Sequence, residues 1–136
     1  MIERRYVFLR YGVPFLVYVT LIFSLSSLSV GGAVEKLPLS DKVIHFFEYS
    51  LLPVLSFRLF VFLQPWKKWT RHYFAAGIII SLVIAAADEW YQSHVPSRMM
   101  DAYDFLADSM GILTSALLWF VWRMYRKRRK DGALPI

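Results

Sequence analysis

The sequence predicts an all-α integral membrane bundle of four transmembrane helices, with both termini on the cytoplasmic side. Three observations predict it. First, the chain has 136 residues, of which 57% are hydrophobic and only 19% charged, against about a quarter charged in ordinary soluble domains. One small core cannot hide that much apolar surface from water. Second, the hydrophobic residues gather in four stretches, each close to the ~20 residues that a helix needs to cross a bilayer core. Third, the basic residues cluster where those stretches would share one side of a membrane. A chain of this length makes a single domain, 1–136. It holds no cysteine, which excludes disulfides, thiolate metal sites and cysteine nucleophiles.

The elements follow in order. The first helix is expected over about 11–30, inside a run from Tyr11 to Val34 without a charged residue. Its basic start, apolar run and small residues at Gly32-Ala33 also have the parts of a secretion signal. The run is long for that role, and the helix is read as an anchor. The second helix is expected over 41–63, interrupted by His45, Glu48 and Arg58, with Ser40 or Asp41 as its cap. Pro53 is expected to kink it. The third covers 73–91, carries Asp88 and Glu89 near its end, and shows a stripe of Gly77, Ser81 and Ala85 suited to close helix packing. The fourth covers 101–123, with Asp101, Asp104 and Asp108 in its first two turns and Gly111 and Ser115 as packing positions. A basic tail, 124–136, follows. The connectors hold Gly31-Gly32 and Pro38, then Gln64-Pro65, then Val95-Pro96-Ser97-Arg98. A membrane span must satisfy its own backbone and no strand-like alternation is present, so the spans are helices. Tyr49, Tyr91 and Tyr103, with Trp66, Trp69, Trp119 and Trp122, are expected at the membrane interfaces.

Charge fixes the orientation, because Lys and Arg accumulate on the cytoplasmic side. Four crossings with both termini inside put Arg4, Arg5, Arg10, Arg58, Lys67, Lys68, Arg71, Arg123, Arg126, Lys127, Arg128, Arg129 and Lys130 on that side. Arg58 reaches it by snorkelling. Only Lys36, Lys42 and Arg98 fall outside, with most of the acids. The net charge of +6 therefore reads as a topology anchor that also meets anionic lipid head groups. Nucleic acid is not an expected partner, since no aromatic-interleaved soluble domain accompanies the basic tail.

The chemistry falls at the outer mouth. Residues at i, i+3, i+4 and i+7 share a helix face. Asp41, His45 and Glu48 do so on the second helix, Asp101, Asp104 and Asp108 on the fourth, and Asp88 with Gln92 on the third, with Glu89 beside them. Carboxylates such as Glu48 and Asp108, about 10 Å inside their helices, are expensive in lipid and should face the bundle interior or a water-filled cavity. Arg98, in the connector before the fourth helix, is the nearby arginine. For Asp41, Glu35 and Asp101 the plainer alternative is a solvated cap or a dipole partner. For His45, Glu48, Asp104 and Asp108 it is an interhelical hydrogen-bond network.

Two motifs resemble those of the VanZ-like family of small bacterial membrane proteins. The first is Asp41-Lys42-x-x-His45-Phe46-x-x-Tyr49. The second is Glu89-x-x-Gln92 followed by Val95-Pro96-Ser97-Arg98-x-x-Asp101-x-x-Asp104-x-x-Ala107-Asp108-x-x-Gly111. Ser97 stands where that family usually has glycine, and Asp108 where it usually has asparagine. The resemblance implies a four-helix, multi-pass protein of the bacterial plasma membrane. It also implies a link to sensitivity towards teicoplanin, a lipid-tailed glycopeptide acting on wall precursors outside the membrane. It supplies no molecular activity.

Three functions are compatible with these residues. The first is an envelope protein whose acidic, outward-facing pocket binds the head group of a membrane lipid, a lipid-linked wall precursor or a glycopeptide. Asp41, His45, Glu48, Asp88, Glu89, Gln92, Arg98, Asp101, Asp104 and Asp108 would line the pocket, with Arg98 clamping a phosphate or carboxylate. The second is an intramembrane hydrolase acting on a lipid-linked phosphate, with His45, Glu48 and Asp104 as its catalytic residues. It would use a divalent metal, with His45, Glu48, Glu89, Asp104 and Asp108 as candidate ligands, or His45 as a general base. No zinc motif, nucleophile elbow or phosphate loop is present. The third is an ion pathway, which the apolar inner halves of the third and fourth helices oppose. The oligomeric state is left open.

Overall fold

The computed structural model describes residues 6, 8–27, 38–63, 70–96 and 98–130. The expectations placed on Arg4, Arg5, residues 28–30, Gly31-Gly32, Ala33, Glu35, Lys36, Gln64-Pro65, Trp66, Lys67, Lys68, Trp69, Ser97 and residues 131–136 lie outside the described residues. Among the described residues four α-helices follow in order: α1 (Val13–Ser27, led in by a π-helical turn, Phe8–Gly12), α2 (Pro38–Leu63), α3 (Thr70–Gln92) and α4 (Ala102–Lys130). No strand occurs among the described residues. All four helical segments are long and apolar enough to cross a membrane.

Helix bounds differ from the sequence expectation at several ends: α3 begins at Thr70 rather than 73, and two other differences have a clear physical reason. Helix α2 begins at Pro38, not near 41. Proline suits a first helical turn, because its φ is preset and its missing N–H would have no partner there. Ser40 and Asp41 therefore sit inside the helix. Helix α4 runs unbroken to Lys130, so residues 124–130 are helix rather than tail. Arg, Lys and Met propagate a helix well, and the terminal cations complement its dipole. The end of the apolar run is not the end of the helix.

The helices alternate in direction. Ser26 at the end of α1 meets Asp88 near the end of α3, and His45 near the start of α2 meets Asp108 near the start of α4. At the opposite end Arg58 lies over the Tyr11 ring and Arg123 over the Tyr73 ring, each at 5.6 Å. Helix α2 touches every other helix, and its interface with α4 is the most extensive. Between the two ends Ile22, Tyr49, Leu52, Ala85 and Ile112 form a buried cluster contributed by all four helices. Below it Phe57 stacks on Phe74 with ring centres 4.6 Å apart.

Small residues set the spacing. A side-chain carbon on Gly111 would lie 2.2 Å from the Phe46 carbonyl oxygen, so α4 and α2 touch backbone to backbone there. Gly77, Ser81 and Ala85 are all buried, and Gly77 faces the Phe57 ring and Ser56 of α2. The stripe thus serves packing within the bundle. Tyr49 is fully buried, which corrects its placement at the interface. It projects from the same face of α2 as His45, four residues earlier, and that face points inward. The outside is apolar: Leu16, Leu21, Ile44, Phe47, Ile79, Val83, Leu113 and Leu117 are exposed. In water such a surface would aggregate; in a bilayer it is the ordinary lipid-facing coat.

Candidate functional site

The polar site lies where α1 and α3 end and α2 and α4 begin. Helical periodicity places its side chains. His45 follows Asp41 by four residues on α2, and Asp104 and Asp108 are likewise four apart on α4, so each pair points across the α2–α4 seam. On α3, Asp88 and Gln92 point together, and Glu89 turns toward α4. His45, Asp88, Glu89, Gln92, Asp104 and Asp108 are all buried.

Three linked groups of contacts make up the site. At the rim the Lys42 ammonium donates to Asp101 Oδ2 at 2.6 Å and to Asp104 Oδ1, with Asp41 Oδ2 at 3.9 Å. Asp101 precedes α4 and caps it, accepting the Tyr103 N–H at 2.8 Å. The Lys42 ammonium holds the Asp101 carboxyl below the usual carboxylate range, helped by that capping hydrogen bond. The Asp101 N–H in turn donates to Glu89 Oε2 at 3.0 Å, which ties the start of α4 to the end of α3.

Deeper, His45 Nδ1 lies 2.9 Å from Asp108 Oδ1, with the Asp108 side chain wholly shielded from solvent. On the α1 side, Ser26 Oγ donates to Asp88 Oδ2 at 2.8 Å, and Gln92 Nε2 donates to the same oxygen at 2.9 Å. Arg98 Nη1 donates to Gln92 Oε1 at 3.2 Å, which joins the connector before α4 to this group. The Tyr18 hydroxyl donates to the Glu48 backbone carbonyl at 2.7 Å. Four carboxylate oxygens, Glu48 Oε1, Asp88 Oδ1, Glu89 Oε1 and Asp108 Oδ2, are buried without a hydrogen-bond partner among the described residues.

The structure thus brings Asp41, His45, Asp104 and Asp108 together across one seam and Asp88, Glu89, Gln92 and Arg98 beside it. Glu48 is half-buried one turn further along α2. The sequence reading missed three contributors. Lys42 was placed on its side of the membrane and in the first motif but given no part in the site, yet it is the cation that takes both Asp101 and Asp104. Its position next to Asp41 at a helix start was the available signal. Ser26 and Ser27, from α1, reach Asp88 and Tyr91. Nothing in a charge-free apolar run marks two serines as partners of another helix. Among the described residues, two groupings of side chains offer metal-ligand atoms within 4.8 Å of one another: Asp41 with His45 and Asp104, and His45 with Glu89 and Asp108.

Among known proteins, the family model described as VanZ/LLP1 matches residues 13–123. No curated protein and no solved structure matches the chain.

Proposed function

The chain belongs to the VanZ/LLP1 family, and from that premise and the site we propose that it binds polar head groups at the outer face of the bacterial plasma membrane. Both termini are cytoplasmic on this reading, and the polar end of the bundle faces out. The ligand is the head group of a membrane lipid or of a lipid-linked wall precursor. Occupying or shielding that precursor lowers sensitivity to teicoplanin.

One observation carries the proposal: buried carboxylate oxygens without partners, on Glu48, Glu89 and Asp108, lie behind a rim that carries Lys42 and Arg98. A buried acceptor left unsatisfied costs about 1–3 kcal/mol, and more when charged. A head group carrying ammonium, amide or hydroxyl donors recovers that cost, while the rim cations meet its phosphate. The charge pattern agrees, since Arg10, Arg58, Arg123 and the basic end of α4 lie at the opposite end of the bundle from the acids.

A second reading is favoured by one contact. The His45–Asp108 hydrogen bond orients the imidazole as a carboxylate orients a general base. His45, with Glu48 or Asp104, would then activate water for hydrolysis of a lipid-linked phosphate. One variant separates the two. A binder in which Glu48→Gln removes one charge-assisted contact keeps activity with about tenfold weaker head-group binding. A hydrolase using Glu48 loses turnover almost entirely. The test is teicoplanin susceptibility of a sensitive bacterium expressing either form, with lipid binding measured by native mass spectrometry. The binding reading expects protection by the wild type and partial protection by Glu48→Gln. No protection and no head-group binding by the wild type overturns it.

A further inference from the structure

We propose that His45, Glu89 and Asp108 form a binding site for one divalent transition-metal ion, of the zinc or manganese class, inside the bundle. The inference deepens the head-group reading and rests on it for the ligand that the ion would take. Two independent observations carry it. Each of the three side chains offers a ligand atom, and these atoms lie within 4.8 Å of one another. Ligand atoms on a tetrahedral or octahedral ion at about 2.1 Å are separated by about 3.0–4.2 Å, so a small closure of three rotamers seats the ion. The second observation is the state of the carboxylates. Glu89 and Asp108 are 3% and 0% exposed, and each keeps one oxygen, Glu89 Oε1 and Asp108 Oδ2, without a partner among the described residues. Their other oxygens are used, by the Asp101 N–H and by His45. A carboxylate held by one oxygen, with the second buried and unpartnered and an imidazole nitrogen in the same grouping, is suited to a metal ligand's role.

Charge gives the reason for an ion. Asp88, Glu89, Asp104 and Asp108 are buried together with His45, and the Lys42 ammonium is committed to Asp101 and Asp104. Buried carboxylates at membrane depth are costly unless neutralised. The alternative grouping, Asp41 with His45 and Asp104, is the poorer site because the Lys42 ammonium already neutralises Asp104 and would repel an ion beside it. One imidazole with carboxylate oxygens suits zinc or manganese, whereas calcium and magnesium prefer oxygen alone. The consequence for function is specific. A cluster of carboxylates repels a phosphate, but the same cluster holding a divalent ion attracts one. With the ion on Glu89 and Asp108, the phosphate of the lipid or precursor head group turns to the ion rather than to the rim cations, and the head-group donors are left to Glu48 Oε1 and Asp88 Oδ1.

The test is titration of the full chain in detergent, free of any histidine tag, with Zn²⁺ and separately with Mn²⁺. Calorimetry should show one ion per chain. Pulsed electron paramagnetic resonance of the Mn²⁺ form should show coupling to an imidazole nitrogen. Glu89→Gln and Asp108→Asn should each weaken binding by at least ~10-fold, and Ser93→Ala, exposed just beyond α3, should leave it unchanged. Loss with Asp41→Asn but not Glu89→Gln, or no stoichiometric ion, overturns the proposal. Should either buried variant fail to fold, the nitrogen coupling of the wild type decides alone, and its absence overturns the site. A protein that takes no ion yet still binds lipid refutes the metal site and spares the head-group reading. A loaded protein that binds no phosphate-bearing head group does the reverse.

Discussion

Gly111→Ala is expected to destabilise the bundle by about 3 kcal/mol, at the upper end of what one inserted methyl costs. The added carbon would sit 2.2 Å from the Phe46 carbonyl oxygen, 3.1 Å from its carbon and 3.3 Å from its Cα. All three are backbone atoms of α2, so no rotamer change relieves the clash. The helices must separate by about 1 Å to restore ordinary contact. That separation falls on the most extensive interface of the fold. It also opens the contacts at the polar end above Gly111, from Lys42 to Asp104 and from His45 to Asp108. Denaturation in mixed micelles measures the loss. Leu113→Ala, on the exposed face of the same turn, should change stability by no more than about 0.5 kcal/mol. A Gly111→Ala protein as stable as Leu113→Ala would mean that α2 and α4 do not meet at this point.

His45→Ala should cost about as much for an electrostatic reason. It leaves the Asp108 carboxylate, wholly shielded from solvent, without its one described partner. Removing one member of a buried ionic or hydrogen-bonded pair typically costs about 3–5 kcal/mol. Adding Asp108→Asn to His45→Ala should return about 1–2 kcal/mol, because a neutral amide is cheaper to bury than a carboxylate. The same denaturation assay on the four proteins of the cycle checks this. Additive losses would show that the two side chains do not interact in the folded state.

These residues also show how far a single sequence can be read. The spans were legible because a bilayer imposes its own length on a helix, and four apolar runs of that length leave few alternatives. The facing of His45 with Asp108 was legible because helical spacing puts Asp41, His45 and Asp104, Asp108 on single faces of two helices. The end of α4 was not, since helix propensity carries through Arg126 and Lys127 after hydrophobicity stops. Lys42 was misjudged because its role depends on which acids α4 brings across the seam, and no spacing along α2 encodes that. Tyr49 was placed by residue type, at an interface, when its position four residues after His45 already put it on the inward face. Ser26 illustrates a harder limit: its hydroxyl pairs with Asp88, 62 residues away, and one chain alone carries no mark of that pairing.

Orientation of the polar site is the claim on which the rest depends, and single-cysteine labelling tests it most directly. The natural chain has no cysteine, so no background must be removed. Ser93 is exposed just beyond α3 at the polar end, and Lys130 is exposed at the far end of α4. In intact cells a membrane-impermeant maleimide should label Ser93→Cys at once and Lys130→Cys only after the membrane is opened. Labelling of Lys130→Cys in intact cells, with Ser93→Cys protected, would put the acidic site in the cytoplasm and contradict the account.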